Sequence, residues 1–255
     1  MLTAKKQMRC LLVLALGLAI GVCGVDSESV IPPAGGVPLQ RSGEEGWDTA
    51  AVSEFARVYS GLFHNQEEHE AAPSEVPFAS KYHVPISIDW LCPPAGPVAC
   101  FYVHEKTNRA GRMQYRLRIS AVSHGKGEAG QEVFTADNYQ FADQKSLEAL
   151  PEEECAKIAS AVNSTQISRV PGGTVDFRRV AGTSIFEVET NYAACDSDKK
   201  DASAPHVETH ISGVLSESGW SVDAVGKRAS DGKEVFRTHV KLKRVDSVET
   251  PPTIE

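Results

Sequence analysis

The sequence lacks the short motifs that indicate a common enzymatic chemistry. It has no GxSxG elbow for a serine nucleophile, no P-loop for a nucleotide and no HExxH pair for a catalytic zinc ion. Gly125 and Gly127 lie between two predicted strands, without the following helix that a phosphate-binding loop requires. These patterns predict no cofactor, and they favour a non-enzymatic function.

The chain also lacks a second long apolar run after its first 24 residues. Those first residues begin with three basic side chains, Lys5, Lys6 and Arg9, and continue with 12 uncharged, apolar residues at 11–22. This order is typical of a secretory signal peptide, and the run is shorter than the roughly 20 residues of a transmembrane helix. We expect residues 1–24 to be a signal peptide, cleaved after Gly24. An uncleaved signal anchor is the alternative.

The end of the sequence carries no sign of a membrane anchor. Residues 246–255 form a polar tail without the apolar segment of a GPI signal. Cleavage would remove three positive charges, so the formal net charge would change from −8 to −11. A chain this acidic repels nucleic acid and anionic lipid as a whole. We therefore expect a secreted, extracellular protein with no membrane insertion and no nucleic-acid partner.

Cysteine is scarce, and four of the six cysteines would remain after cleavage. An even number in an exported chain predicts two disulfides. We favour Cys92–Cys100, because proline and glycine in the intervening segment promote a turn, together with Cys155–Cys195. The wide spacing of these residues argues against a zinc site.

One short motif predicts a covalent modification. Asn163, Ser164 and Thr165 form an N-glycosylation sequon, and proline does not interrupt it. In a eukaryotic host, an exported chain would meet the glycosylation machinery. We therefore expect a glycan on Asn163.

The composition divides the amino-terminal part of the mature chain into three segments. Residues 25–46 are rich in glycine and proline and are predicted to form a flexible leader. Apolar residues from Val52 to Phe63 then recur in steps of three and four, the spacing of one helix face. We predict an amphipathic helix over residues 47–72 and a linker over residues 73–83.

Residues 84–245 are predicted to form one β-rich domain. The segment from Met113 to Ala121 alternates apolar and polar residues, as a half-buried strand does. Pro151, followed by three glutamates, predicts the start of a helix that contains Cys155. The sequence therefore predicts an α+β fold: a mainly antiparallel β-sheet with an N-terminal amphipathic helix, one further helix and two disulfides.

Basic side chains alternate along two predicted strands and suggest a binding surface. The candidate residues are Arg116, Arg118, Arg237, His239, Lys241 and Lys243. Against the acidic background, such a face would bind an anionic glycan or an acidic partner protein. The alternative is pairing within the sheet, with acidic neighbours such as Glu187 and Glu189.

A second pattern suggests a metal site. In the segment HVETH, a strand would place His206, Glu208 and His210 on one face, and these residue types bind zinc and similar ions. The alternative is a solvated strand face, because no fourth ligand lies nearby in the sequence.

These patterns favour a secreted, non-enzymatic binding protein that acts at an extracellular or host surface, or as a subunit of a secreted complex. Its expected partner is a protein or an anionic glycan. The alternative is a metal-dependent secreted hydrolase that uses the HVETH strand.

Overall fold

The structure is a computed structural model. It describes residues 49–93, 98–109, 111–127, 130–170, 172–191, 207–228 and 231–245. The predicted signal peptide, leader and polar tail lie outside these residues, so those predictions stay predictions. Among the described helices, none combines the length and the apolar character needed to cross a bilayer.

The described part of the chain contains short helices and many strands. The helices are α1 (Thr49–Tyr59), α2 (Gln66–Ala71), α3 (Gln144–Leu147) and α4 (Glu152–Ser160). The strands are β1 (Gly61–His64), β2 (Ala79–Ile86), β3 (Val98–Arg109), β4 (Arg112–Lys126), β5 (Glu132–Phe141), β6 (Ile167–Arg169), β7 (Val175–Arg179), β8 (Phe186–Thr190), β9 (Val207–Ser216), β10 (Gly219–Arg228) and β11 (Glu234–Val245).

Ten of these strands close into an antiparallel β-barrel. The ring runs β1-β2-β3-β4-β5-β7-β8-β9-β10-β11 and returns to β1, while β6 pairs with β5 outside the ring. The predicted α+β fold is therefore wrong, although the strands are antiparallel as expected. Closure depends on pairs such as Leu62 with Val245, which lie far apart in the sequence and leave no trace in local periodicity.

The predicted helix over residues 47–72 is also wrong in its extent. Helix α1 ends at Tyr59, and β1 begins at Gly61, whose φ of +125° lies in a region that side-chain-bearing residues rarely adopt. The apolar spacing of this segment fits a helix locally. Pairing with both β2 and β11 makes residues 61–64 a strand instead.

Helix α1 fills one end of the barrel, here called the closed end. Phe55 is 1% exposed and stacks on Phe134, with ring centroids 4.4 Å apart. Glu54 pairs with Arg179 at 2.5 Å, and Arg244 donates to the carbonyl of Ser60, just after the helix. Aromatic packing and charge thus hold α1 inside the ring of strands.

A second apolar core lies on the outer face of the barrel, beneath α3 and α4. It includes Cys155, which is fully buried and donates a hydrogen bond from Sγ to the carbonyl of Leu147 at 3.3 Å. Cys92 and Cys100 form the predicted disulfide. Cys155 forms no disulfide with another described residue. Cys195 lies outside the described residues, so its pairing with Cys155 stays a prediction.

The opposite end of the barrel, here called the open end, is less completely filled. Side chains alternate between the two faces of a strand. A residue two positions from an inward-pointing core residue therefore points into the barrel as well. By this alternation Gln140, Val222 and Val240 point inward, yet Gln140 is exposed and both valines are only half-buried. Solvent therefore reaches the interior from this end.

Candidate functional site

Three neighbouring strands place charged side chains inside the open end. Phe101 and Val103 on β3 belong to the interior core, so Glu105 points the same way. Glu105 is paired in register with Lys81 on β2 and with Arg116 on β4. The fourth member of the set lies two residues further along β4. We call Lys81, Glu105, Arg116 and Arg118 the interior charged cluster.

The only carboxylate of the cluster, Glu105, binds two of its three cations. Its Oε1 lies 2.6 Å from Lys81 Nζ, and its Oε2 lies 3.0 Å from Arg116 Nη1. Burial raises the pKa of Glu105, but the charges of Lys81 and Arg116 outweigh that effect and hold the pKa well below its ordinary value. Glu105 is therefore ionised at neutral pH, and the cluster carries a net charge of about +2.

Arg118 differs from the other two cations because no carboxylate binds it. Among the described residues, its guanidinium forms no ion pair and no side-chain hydrogen bond. Burial, together with the neighbouring charge of Arg116, lowers the pKa of Arg118 to about 10. Arg118 is thus a largely desolvated cation, ionised at neutral pH, with a free set of hydrogen-bond donors.

An aromatic floor separates the interior charged cluster from helix α1. Trp220 is 5% exposed, and Lys81 Nζ lies 5.0 Å from the centre of its ring. The Tyr59 and His83 rings are 4.4 Å apart beside it. Burial lowers the pKa of His83 to about 3, so its imidazole is neutral at physiological pH. These rings therefore fill the barrel interior between the interior charged cluster and helix α1.

The structure separates the six basic residues that the sequence grouped together. Arg116 and Arg118 point into the barrel, although the alternation on β4 had suggested an exposed face. The residues on β11 point outward, and most have an acidic neighbour. Arg237 pairs with Glu234 at 2.8 Å and His239 with Asp223 at 3.1 Å, while Lys243 contacts Glu67. Lys241 is exposed and forms no ion pair with a described residue.

Sequence reasoning missed Lys81 and Glu105 as site residues. Strand alternation places each of them on one of two faces, but it does not say which face is the interior. The sequence does show that Phe101 and Val103, which are apolar, share a strand face with Glu105. If that face is buried in the barrel, Glu105 points inward as well.

The predicted HVETH metal site stays a prediction. His206 and the side chain of Glu208 lie outside the described residues, and His210 is half-buried on β9. Among the described residues, no cluster of three histidine, cysteine or acidic side chains could hold a metal ion.

Asn163 lies in an exposed turn after α4. Its Oδ1 accepts hydrogen bonds from the backbone N–H of Thr165 at 2.9 Å and from the Thr165 hydroxyl at 2.6 Å. The asparagine side chain of the sequon is therefore accessible.

The barrel has a structural counterpart among solved proteins. No protein-family model matches the sequence, and no curated protein matches it significantly. A solved structure of the CRL protein of Arabidopsis, in selenomethionine form, aligns with a TM-score of 0.50 at 12% sequence identity. The alignment covers 78% of this chain and 98% of that one. The two proteins share a fold, and at this identity the similarity says nothing further.

Proposed function

We propose that this protein is a secreted, non-enzymatic binding protein that holds the anionic group of a small molecule or glycan inside the open end of its barrel. The single observation that carries the proposal is Arg118. Removing a guanidinium from water costs free energy, and the charge of Glu105 offsets that cost only in part, because the Glu105 carboxylate binds Lys81 and Arg116 rather than Arg118. A bound carboxylate, sulfate or phosphate would offset it.

The position of the cluster favours a small anionic group over a flat protein surface. Arg118 points into the barrel, where a small anion has easier access than the flat acidic surface of a folded partner. A carboxylate matches the planar fork of donors on an arginine and makes short, charge-assisted hydrogen bonds. Among the expected partners, an anionic glycan therefore fits the site better than a protein.

The ion pairs on β11 support the same choice. Arg237, His239 and Lys243 each have an acidic side chain within ion-pair distance. An anionic ligand at this outer face would compete with those carboxylates. Exposed ion pairs contribute little to stability, but they reduce the positive potential that a ligand would meet.

The proposal is tested with Arg118→Gln. Binding of carboxylated and sulfated oligosaccharides to the secreted chain is followed by tryptophan fluorescence, since Trp220 lies beside the cluster. We expect the variant to raise the Kd by about 10- to 100-fold, the range for losing a charged hydrogen bond.

Lys241→Gln is the matched control, because it removes one positive charge from the outer face. We expect it to leave the Kd unchanged. The stability of Arg118→Gln should not decrease, because the substitution removes a desolvated charge. Equal weakening by the two substitutions would assign binding to overall charge and contradict the proposal.

Export and glycosylation belong to the same proposal, and the exposed sequon supports them. A eukaryotic cell line that expresses the full sequence should release a chain beginning at Val25, as measured by amino-terminal sequencing. Treatment with an N-glycosidase should lower its mass, and Asn163→Gln should abolish that shift. Retention of the whole chain inside the cell would contradict this part of the proposal.

A further inference from the structure

Trp90 is a large aromatic side chain on the outer surface, and it is 48% exposed. The turn that carries it is fixed at both ends, because Ile88 is buried and Cys92 forms the disulfide with Cys100. The backbone N–H groups of Leu91 and Cys92 donate to the carbonyl of Ile88 at 2.9 and 2.7 Å. An ordered turn therefore holds the indole at the surface.

The indole contacts the chain directly before the glycosylation sequon. Nε1 of Trp90 donates to the carbonyl of Val162 at 2.8 Å, and Asn163 is the next residue. That bond uses the only polar group of the indole, so the part of the ring that still meets solvent is apolar. An apolar ring surface thus lies beside the attachment residue of the predicted glycan.

The sequon turn also presents the atom to which a glycan would be joined. Oδ1 of Asn163 accepts both hydrogen bonds from Thr165, while Nδ2 has no hydrogen-bond partner among the described residues. The backbone N–H of Gln166 donates to the carbonyl of Asn163 at 3.1 Å, and the Gln166 side chain accepts from the N–H of Asn163 at 2.9 Å. The first sugar would therefore start from a fixed, exposed position close to Trp90.

We infer that the first sugar units of a glycan on Asn163 pack on the exposed face of Trp90 and cover this apolar surface. The face of an aromatic ring carries negative charge density, which attracts the weakly polarised C–H groups on one face of a sugar ring. This inference rests on the proposed function, since it assigns a contact to the glycan proposed there.

The covalent link favours a glycan over a separate partner at Trp90. A tethered group does not lose the translational freedom that a free ligand loses on binding, so a small contact area is sufficient. A bulky glycan at the residue beside the Trp90 contact would also keep a folded partner protein away from the indole.

Oxidation by hydroxyl radicals, followed at single residues by peptide mass spectrometry, tests the contact. The full sequence and its Asn163→Gln variant are secreted from one eukaryotic cell line. We expect Trp90 to oxidise about twofold more slowly with the glycan, because a sugar covers one of the two faces of the ring. Trimming the glycan to its first sugar should retain most of this protection. Met113, which is exposed on β4, is the internal control and should oxidise equally in both forms.

Paired substitutions provide a second measurement, in the Tm of the secreted chain. We expect Asn163→Gln to lower the Tm by about 2–4 °C when Trp90 is present and by clearly less in a Trp90→Ala background. Val214→Ala is the matched control, because it shortens an exposed apolar side chain on β9, across the ring from the strands that α4 contacts. It should leave the effect of Asn163→Gln unchanged.

The outcomes separate this inference from the proposed function. If an N-glycosidase leaves the mass of the secreted chain unchanged, the proposed glycosylation and this inference are both wrong. If Asn163 carries a glycan but Trp90 oxidises at the same rate in both forms, the glycosylation stands and this inference is wrong, with Trp90 open to a separate partner. The oxidation measurement keeps Trp90 in place, so it decides the inference even where Trp90→Ala fails to fold.

Discussion

At the scale of single residues, Glu105 organises the positive charge of the barrel interior. It binds Lys81 and Arg116 and leaves Arg118 without a carboxylate. With Glu105 removed, three cations would share a partly desolvated space. Glu105 therefore stabilises the interior charged cluster. Because it binds Lys81 and Arg116, it leaves Arg118 as the cation that a ligand can bind.

Glu105→Gln is predicted to lower the free energy of unfolding at pH 7 by about 2–4 kcal/mol, because it leaves two cations without their counter-ion. The folded-state pKa of Glu105 lies below its ordinary value of 4.5. Its contribution is therefore complete above that value and is lost as the pH falls through the folded-state pKa. Urea denaturation at pH 7 and pH 3 should show a smaller difference between variant and wild type at the lower pH.

The exposed Glu187 on β8 provides the matched control for this measurement. Glu187→Gln removes the same charge from the outer face, and it should change stability by less than about 0.5 kcal/mol. A similar small effect from both substitutions would contradict the account of Glu105.

At the scale of elements, α1 is the part of the chain that gives the barrel a closed end. Phe55 contacts the rings of Phe101, Phe134, Phe177 and Phe186, which come from β3, β5, β7 and β8. One helical side chain thus connects four strands. Because Tyr59 of the same helix forms part of the floor, the position of α1 also defines the depth of the site.

Phe55→Ala is predicted to lower the free energy of unfolding by about 3–5 kcal/mol, the usual cost of truncating a buried phenylalanine. Ser53→Ala, on the exposed face of the same helix, should change it by less than about 0.5 kcal/mol. Chemical denaturation of the two variants provides the measurement. Equal stability would mean that α1 does not fill the barrel.

The elements differ in how well the sequence predicted them. Helix α4 and the strand that contains Met113 to Ala121 were recognised, because their capping residues and apolar spacing agree with their tertiary environment. Strand β1 was missed, since its four residues continue the helical spacing of α1. For short segments, pairing partners elsewhere in the chain override local periodicity.

At the scale of the whole molecule, closure of the barrel decides what the basic residues can do. The sequence identified Arg116 and Arg118 as candidates, but it treated their face as exposed. Once β1 pairs with β11, that face becomes the inside of a barrel, and the same side chains point into its interior. Lys81 and Glu105 join them only through registers that a single sequence does not reveal.

We propose that anions bind inside the barrel rather than on the basic outer face of β11. The most direct measurement is anomalous diffraction from a crystal of this chain soaked with a bromine-labelled carboxylate. We expect an anomalous peak inside the open end, with the carboxylate at the guanidinium of Arg118. A peak beside Lys241 and Lys243, with an empty interior, would contradict it.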